Sequence, residues 1–226
     1  MNKKTARVFI LLMVIALTCA CDLPFTSGTE TPPTPPPPLP PEKTLFQDDF
    51  SDTGSGWEVG EYEIGSVGYE SGAYFVISPG DGDTMWGVAN VSFSDVIIEV
   101  DATQVSAPAN DNNDYGVVCR EQGNGSGYYL LISGDGGYAI LKGEGEGGGF
   151  ETLVDWAVSD VIRQGNATNH IRAICDGSTL ALFVNGQRLA TTEDDTFTGG
   201  DIALTATSYE AEPTEIHFDN LVVNKP

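Results

Sequence analysis

Apolar and polar residues alternate with a period of two through residues 169–190, NHIRAICDGSTLALFVNGQRLA, and that period predicts three antiparallel strands joined at Asp176-Gly177 and Asn185-Gly186. With two-residue loops, Cys175 falls opposite Ser178, Ala173 opposite Leu180, Ile171 opposite Leu182, and Leu182 opposite Leu189. Alternation gathers Ile171, Ala173, Cys175, Leu180, Leu182, Val184 and Leu189 on one face. So apolar a surface must pack on a second layer. The other face carries Arg172, Thr179 and Arg188, but also Ile174, Ala181, Phe183 and Ala190, so it is not a plain solvent face.

Runs of the same kind recur along the chain. They cover residues 45–50, 72–77, 91–105, 115–121, 128–133, 138–142, 150–154, 202–207 and 215–223, and Gly, Asn, Asp or Ser punctuates them. No long stretch has the helical period, and no internal repeat stands out. The pattern predicts an all-β fold, a two-sheet antiparallel jelly-roll sandwich, and the 27 glycines supply the turns it needs.

The first residues follow a different pattern. Lys3, Lys4 and Arg7 precede an apolar run, residues 8–17, that falls short of the roughly 20 apolar residues needed to span a bilayer, so it reads as an export signal. The run closes in Leu17-Thr18-Cys19-Ala20-Cys21, which resembles the lipobox of bacterial lipoprotein precursors. That resemblance implies cleavage before a lipidated Cys21, with Cys19 as the other candidate, and an exported lipoprotein held on the extracytoplasmic face of the membrane or at the cell surface. Residues 22–43 then hold Thr31-Pro32-Pro33-Thr34 and Pro35 to Pro38, a composition that excludes helix and sheet ladders and favours an extended spacer. The expected organisation is a signal at 1–20, a lipidated N-terminus and disordered proline-rich linker at 21–43, and one β-sandwich domain at 44–226.

Charge narrows the partners. The chain carries 10 basic and 33 acidic residues for a formal charge of −23, and removal of Lys3, Lys4 and Arg7 with the signal carries it to −26. Nucleic acid is excluded as a partner, because a polyanion would be repelled and no basic patch reverses the field locally. Cys119 and Cys175 both fall on strands of an exported domain, which favours a disulfide between them. Two separate buried thiols are the alternative.

Several stretches together resemble a known fold family. The opening Phe46-Gln47-Asp48-Asp49-Phe50-Ser51 with Trp57, the central Asp114-Tyr115-Gly116-Val117-Val118 and Tyr128-Tyr129-Leu130-Leu131-Ile132, Val184-Asn185-Gly186, and the closing Phe218-Asp219-Asn220-Leu221-Val222-Val223 are similar to concanavalin A-like lectin/glucanase domains. Within that superfamily the likeness is to the laminin G-like and 3-keto-disaccharide hydrolase-like branches. It implies a jelly roll with adjacent first and last strands and a sheet face that binds glycans.

Glu99-Val100-Asp101-Ala102-Thr103-Gln104 is similar to the Glu-x-Asp-x-x-Glu strand of laminarinase-type glycoside hydrolases, whose outer carboxylates are nucleophile and acid/base. Gln104 cannot exchange a proton at neutral pH, and on a regular strand it points away from Glu99 and Asp101, so no catalytic residue is assigned. Asp111-Asn112-Asn113-Asp114 lines up oxygen donors that would suit a weak calcium site, but it lacks the glycine and distal glutamate of a calcium loop, so no cofactor is assigned. His170 and His217 have no Cys or His at metal-ligand spacing, and no metal site is assigned. Sugar rings need a stacking platform beside hydrogen-bonding groups, which makes Trp86, Tyr115 and Tyr128 with Glu99, Asp101 and Asp114 the candidate ligand-binding residues. Adjacent Tyr128 and Tyr129 must point to opposite sheet faces. The expected function is a noncatalytic glycan-binding or adhesive module for a neutral glycan or cell-envelope polysaccharide. A glycoside or keto-disaccharide hydrolase of the same fold is the first alternative, and a structural envelope interaction module the second.

Overall fold

The computed structural model describes residues 43–145 and 147–226. The expected signal, Cys21 and the linker up to residue 42 lie outside the described residues. Within them the protein has strands and turns but no helix. The strands are β1 (Thr44–Asp48), β2 (Gly60–Tyr62), β3 (Gly65–Glu70), β4 (Ala73–Ser78), β5 (Thr84–Phe93), β6 (Val96–Ser106), β7 (Asn113–Glu121) and β8 (Ser126–Ile132). They continue as β9 (Gly137–Glu144), β10 (Phe150–Val158), β11 (Thr168–Asp176), β12 (Thr179–Val184), β13 (Gln187–Glu193), β14 (Gly200–Ser208) and β15 (Thr214–Asn224).

Two antiparallel sheets form. The 9-stranded sheet runs β13-β12-β11-β6-β15-β4-β3-β2, with β1 also paired to β15, and the 6-stranded sheet runs β10-β9-β8-β7-β14-β5. β15 lies along β6 on one side, while its other side is shared between β4 and β1. First and last strands are therefore adjacent, as the family resemblance implied. The all-β jelly-roll sandwich predicted from the pattern is the fold observed.

Alternation decides which side chains meet between the sheets. Ile98, Val100 and Ala102 of β6, Ile171, Ala173 and Cys175 of β11, and Ile216, Phe218 and Val223 of β15 face Tyr115, Val117 and Cys119 of β7 and Tyr128, Leu130 and Ile132 of β8, all buried in one core. Cys119 and Cys175 come from opposite sheets and are disulfide-bonded, with their Cα atoms 6.8 Å apart. One staple thus joins the two layers through the core.

The meander of β11 to β13 is present with a changed register. Cys175 pairs with Leu180, Ala173 with Leu182 and Ile171 with Val184, because the first loop is Gly177-Ser178 and not Asp176-Gly177. A shift of two residues on the partner strand preserves the apolar face. At the second turn, Asn185 (φ 50) and Gly186 (φ 83) both take the left-handed backbone that a two-residue hairpin needs. Beyond it the pairing slips, so Leu182 faces Ala190 and not Leu189. Ala190 joins the core and Leu189 is only half-buried.

The run read as residues 91–105 is two strands in different sheets. A turn at Ser94-Asp95 ends β5 and begins β6, and it is held by Arg120. That guanidinium is buried, donates to the carbonyls of Ser94 (2.9 Å), Gly177 (2.9 Å) and Phe197 (2.7 Å), and pairs with Asp95 at 3.1 Å. Three loops at one end of the sandwich are thereby fixed by a single side chain. β2, β3 and β5 were not anticipated as separate strands, and β2, the turn that leads into β3, and β5 prove to shape the candidate site.

Candidate functional site: a cleft beside β5

The outer face of the 6-stranded sheet is built from cross-strand rows. Across β9, β8, β7, β14 and β5 the first row is Leu141, Tyr129, Val118, Ala203 and Val88. The second row is Ala139, Leu131, Gly116, Thr205 and Trp86, and the third includes Asp114, Thr207 and Thr84. This face is apolar at its centre, with Trp86 and Val88 packed against a buried cluster of Val118, Tyr129, Leu131, Ala139, Leu141 and Ala203. Gly116 is required in the second row, since a Cβ there would meet the Leu130 carbonyl oxygen at 2.2 Å.

At the β5 edge this face opens into a cleft of about 820 Å³. Trp86 and Val88 of β5, Tyr62 and Ile64 at the β2–β3 turn, and Glu121, Gln122 and Asp201 all line it. The Trp86 ring lies so close to Gly125 that a Cβ there would come within 3.2 Å of it. Glu58 is pinned to β5, its N–H donating to the Val88 carbonyl at 2.9 Å. Its carboxylate accepts from the Tyr62 hydroxyl at 2.6 Å and the Val88 N–H at 3.4 Å. Asp201 accepts from the N–H groups of Val91 (3.1 Å) and Ile202 (2.8 Å). Burial pushes its carboxyl above the usual aspartate range, with these N–H bonds opposing and the neighbouring Glu121 charge adding to the rise. Glu121 accepts from the N–H groups of Gly123, Asn124 and Gly125, which holds the β7–β8 loop.

Among the described residues, three carboxylates, two aromatic rings and the amides of Asn90 and Gln122 line this cleft, and no lysine, arginine or histidine does. Such a set can stack an apolar ring face and accept hydrogen bonds from hydroxyls, while it repels anions.

The residues singled out from sequence scatter. Trp86 lies in the cleft. Asp114 shares the same outer face but sits in its third row, buried and bonded to the Tyr209 hydroxyl. Burial pushes its pKa up to about 6, with hydrogen bonds from Tyr209 and Thr207 opposing. Tyr209 lines a separate cavity of about 340 Å³ with Asn112, Asp135 and Trp156.

Tyr115 and Tyr128 are corrections, because both are 0 % exposed on the inner face of the sheet. Their hydroxyls bond Asn169 (3.3 Å) and Asp194 (2.6 Å), so no ligand can stack on either ring. Tyr129 points to the outer face, as parity demands, yet it too is buried, against Phe150 with ring centroids 4.9 Å apart. Glu99 and Asp101 are on the outer face of the other sheet, so they do not join Trp86. Glu99 bonds Arg172 at 2.6 Å, and Asp101 bonds His170 at 2.8 Å and Asn220 at 3.1 Å.

Gln104 points into the sandwich. It is 1 % exposed and bonds Asp111 at 2.7 Å and Asn113 at 2.9 Å, so the Glu99-to-Gln104 run converges on no common substrate position. The oxygen donors of 111–114 diverge as well, with Asp111 and Asn113 on Gln104, Asn112 on Glu210 and Asp114 on Tyr209. Glu58, Tyr62, Gln122 and Asp201 escaped the sequence reading, and Glu58 beside Trp57 at the start of a glycine-punctuated stretch was the one local sign available.

The geometry is that of a two-sheet jelly-roll β-sandwich of galectin-like fold. Solved structures with this architecture include a Bacillus subtilis protein of unknown function with a galectin-like fold, with 13% identity, 81% of this chain and 96% of that chain covered, and a TM-score of 0.59. A carbohydrate-binding module, CBM66, also from Bacillus subtilis, shows 15% identity over 76% of this chain and 96% of that chain at a TM-score of 0.51. A GH16 protein of the Bacteroides ovatus mixed-linkage glucan locus, solved with an oligosaccharide product, shows 13% identity over 79% of this chain and 99% of that chain at 0.54. No family model and no curated protein matches the sequence.

Proposed function

We propose that this domain binds a neutral glycan in the β5 cleft without cleaving it, and that a lipid on Cys21 tethers it outside the cytoplasm. The observation that carries the binding reading is the composition of the cleft, where Trp86 and Tyr62 offer ring faces beside Glu58, Asp201, Asn90 and Gln122, with no cationic side chain among the described residues. Carbohydrate ligands of the carbohydrate-binding module and the glucan-locus enzyme of the same fold lend support. Acidic cleft and acidic chain, at −23, both favour neutral sugars over uronates or sulfated chains. Stacking with a few hydrogen bonds corresponds to about −4 to −8 kcal/mol, the millimolar to micromolar range.

A noncatalytic role is supported by the state of the carboxylates. Gln104 is in the core, Glu99 is engaged by Arg172 on the far sheet, and Glu121 is occupied by loop N–H groups. A hydrolase reading retains one favourable observation, the raised carboxyl of Asp201 in the cleft beside Glu121. A glycan array followed by reducing-sugar release on each hit decides between them. Binding lost in Trp86→Ala with no sugar released is the expected result, whereas turnover that disappears in Asp201→Asn would establish the hydrolase. For the tether, Cys21→Ala should move the protein to the soluble fraction, and release by Cys19→Ala alone would move the assignment to Cys19.

A further inference from the structure

On the outer face of the 9-stranded sheet, away from the cleft, a histidine and two carboxylates converge. Along β15, Thr214, Ile216 and Phe218 are buried in the sandwich, so Glu215 and His217 both face outward. Pairing to β4 on one side and β6 on the other fixes the backbone beneath them. Glu70, the last residue of β3, reaches the same point from the far side of β4.

His217 Nε2 lies 2.7 Å from a Glu215 oxygen and 3.8 Å from a Glu70 oxygen, and one donor atom from each residue lies within 4.8 Å of the others. The imidazole leans on Phe75, with ring centroids 6.4 Å apart, which steadies its orientation. A tetrahedral ion with bonds of roughly 2.0–2.1 Å holds its ligand atoms about 3.3 Å apart. The two separations from Nε2, 2.7 and 3.8 Å, fall on either side of that value. Among the described residues neither Glu70 nor Glu215 has a lysine or arginine partner, so the pair of negative charges is left with the imidazole alone.

We propose that Glu70, Glu215 and His217 form a three-ligand site for a divalent transition cation of the Zn²⁺ class, which ties β3 to β15 across β4. One imidazole with two carboxylates suits Zn²⁺, while Ca²⁺ and Mg²⁺ favour all-oxygen sets with more ligands. The fourth position is open to water. Spacing along the chain could not reveal this site, because only Glu215 and His217 are near in sequence and no Cys or second His takes part.

Zn²⁺ titrated into the purified full chain against a chromophoric chelator tests the assignment, with Cys19 and Cys21 replaced by Ala so that their thiols do not compete. One saturable site and a rise in thermal midpoint with added Zn²⁺ are expected. His217→Gln should weaken the binding at least tenfold and abolish the rise, Glu215→Gln should weaken it by a comparable factor, and His170→Gln should change neither. Midpoints measured without metal show that each variant is folded. If the wild-type chain takes up no Zn²⁺, or if binding survives His217→Gln, the cluster is only a histidine paired with two carboxylates and the proposal is wrong. Loss of binding in His170→Gln would overturn it equally.

Discussion

Replacing Asp114 by Asn should stabilise the domain at neutral pH and leave it nearly unchanged in mild acid. Asp114 is 2 % exposed, with the Tyr209 hydroxyl donating to its carboxylate. Burial raises its pKa from 3.8 to about 6, and the hydrogen bonds from Tyr209 and Thr207 recover only part of that. Between those values the folded state holds a proton that the unfolded chain has released, so stability falls as pH rises through the window and the full penalty is present above it. At about 1.4 kcal/mol per pKa unit, the gap amounts to ~3 kcal/mol. Asparagine has nothing to ionise and keeps an oxygen to accept from Tyr209. Urea unfolding of both proteins from pH 4 to 8, with the disulfide intact, measures the difference directly. Other carboxylates titrate in both proteins and cancel when the two are subtracted. The difference should be near zero at pH 4 and approach ~3 kcal/mol in favour of Asn by pH 7. A difference that stays flat across the range would refute the assignment of a raised pKa to Asp114.

Replacing Cys119 and Cys175 together by Ala should lower stability by about 4 kcal/mol on the chain-entropy estimate for the 56-residue separation they span, read as a lower urea midpoint. Arg120→Met should cost roughly 3 kcal/mol by stranding the carbonyls of Ser94, Gly177 and Phe197, and proteolysis should then attack the loops at that end first. Tyr128→Ala should destabilise the core by about 3–5 kcal/mol whatever its effect on ligand, because the ring is fully buried. Trp86→Ala should instead abolish glycan binding measured by calorimetry at a smaller cost in stability, and a Trp86→Ala domain that binds like wild type would remove the cleft from consideration.

The fold was legible because its signal is local and repeated. Alternation along β6, β11 and β15 assigns inner and outer faces without knowledge of partners, and the Asn185-Gly186 turn has the backbone that its sequence demands. Register was less legible. A two-residue hairpin at Asp176-Gly177 and one at Gly177-Ser178 place the same apolar residues inward, so the hydrophobic pattern does not distinguish them. The slip after Leu182 is invisible for the same reason, since Leu189 and Ala190 are both apolar. Residues 91–105 read as one run because apolar residues flank Ser94-Asp95 on both sides, and the force that breaks the run there comes from Arg120, on a different strand.

The site was hidden by the same geometry that makes the fold readable. A sandwich buries large rings from both faces of a strand such as β8, so an aromatic residue beside an aspartate says little about exposure, and Tyr115 and Tyr128 went to the core. Exposure on this sheet depends on position across it. Central β7 and β8 are buried throughout, while β5 at the edge leaves Trp86 and Val88 partly open. An edge strand has a free side, and here the β2–β3 turn stands off that side far enough to leave a cleft. Glu58 bonded to β5, Tyr62 bonded to Glu58 and Asp201 at the β14 bulge opposite β5 are therefore brought together by sheet order, with no fixed spacing in the chain. The Glu70, Glu215 and His217 cluster on the other sheet obeys the same rule, with Glu70 and His217 meeting because β4 lies between β3 and β15. In a sheet protein of this kind, chemistry is therefore to be sought where the outer face near a sheet edge meets a loop or strand distant in sequence, or across one intervening strand, and Trp86 with the loop residue Glu58 satisfies that condition where Tyr128 with Asp114 does not.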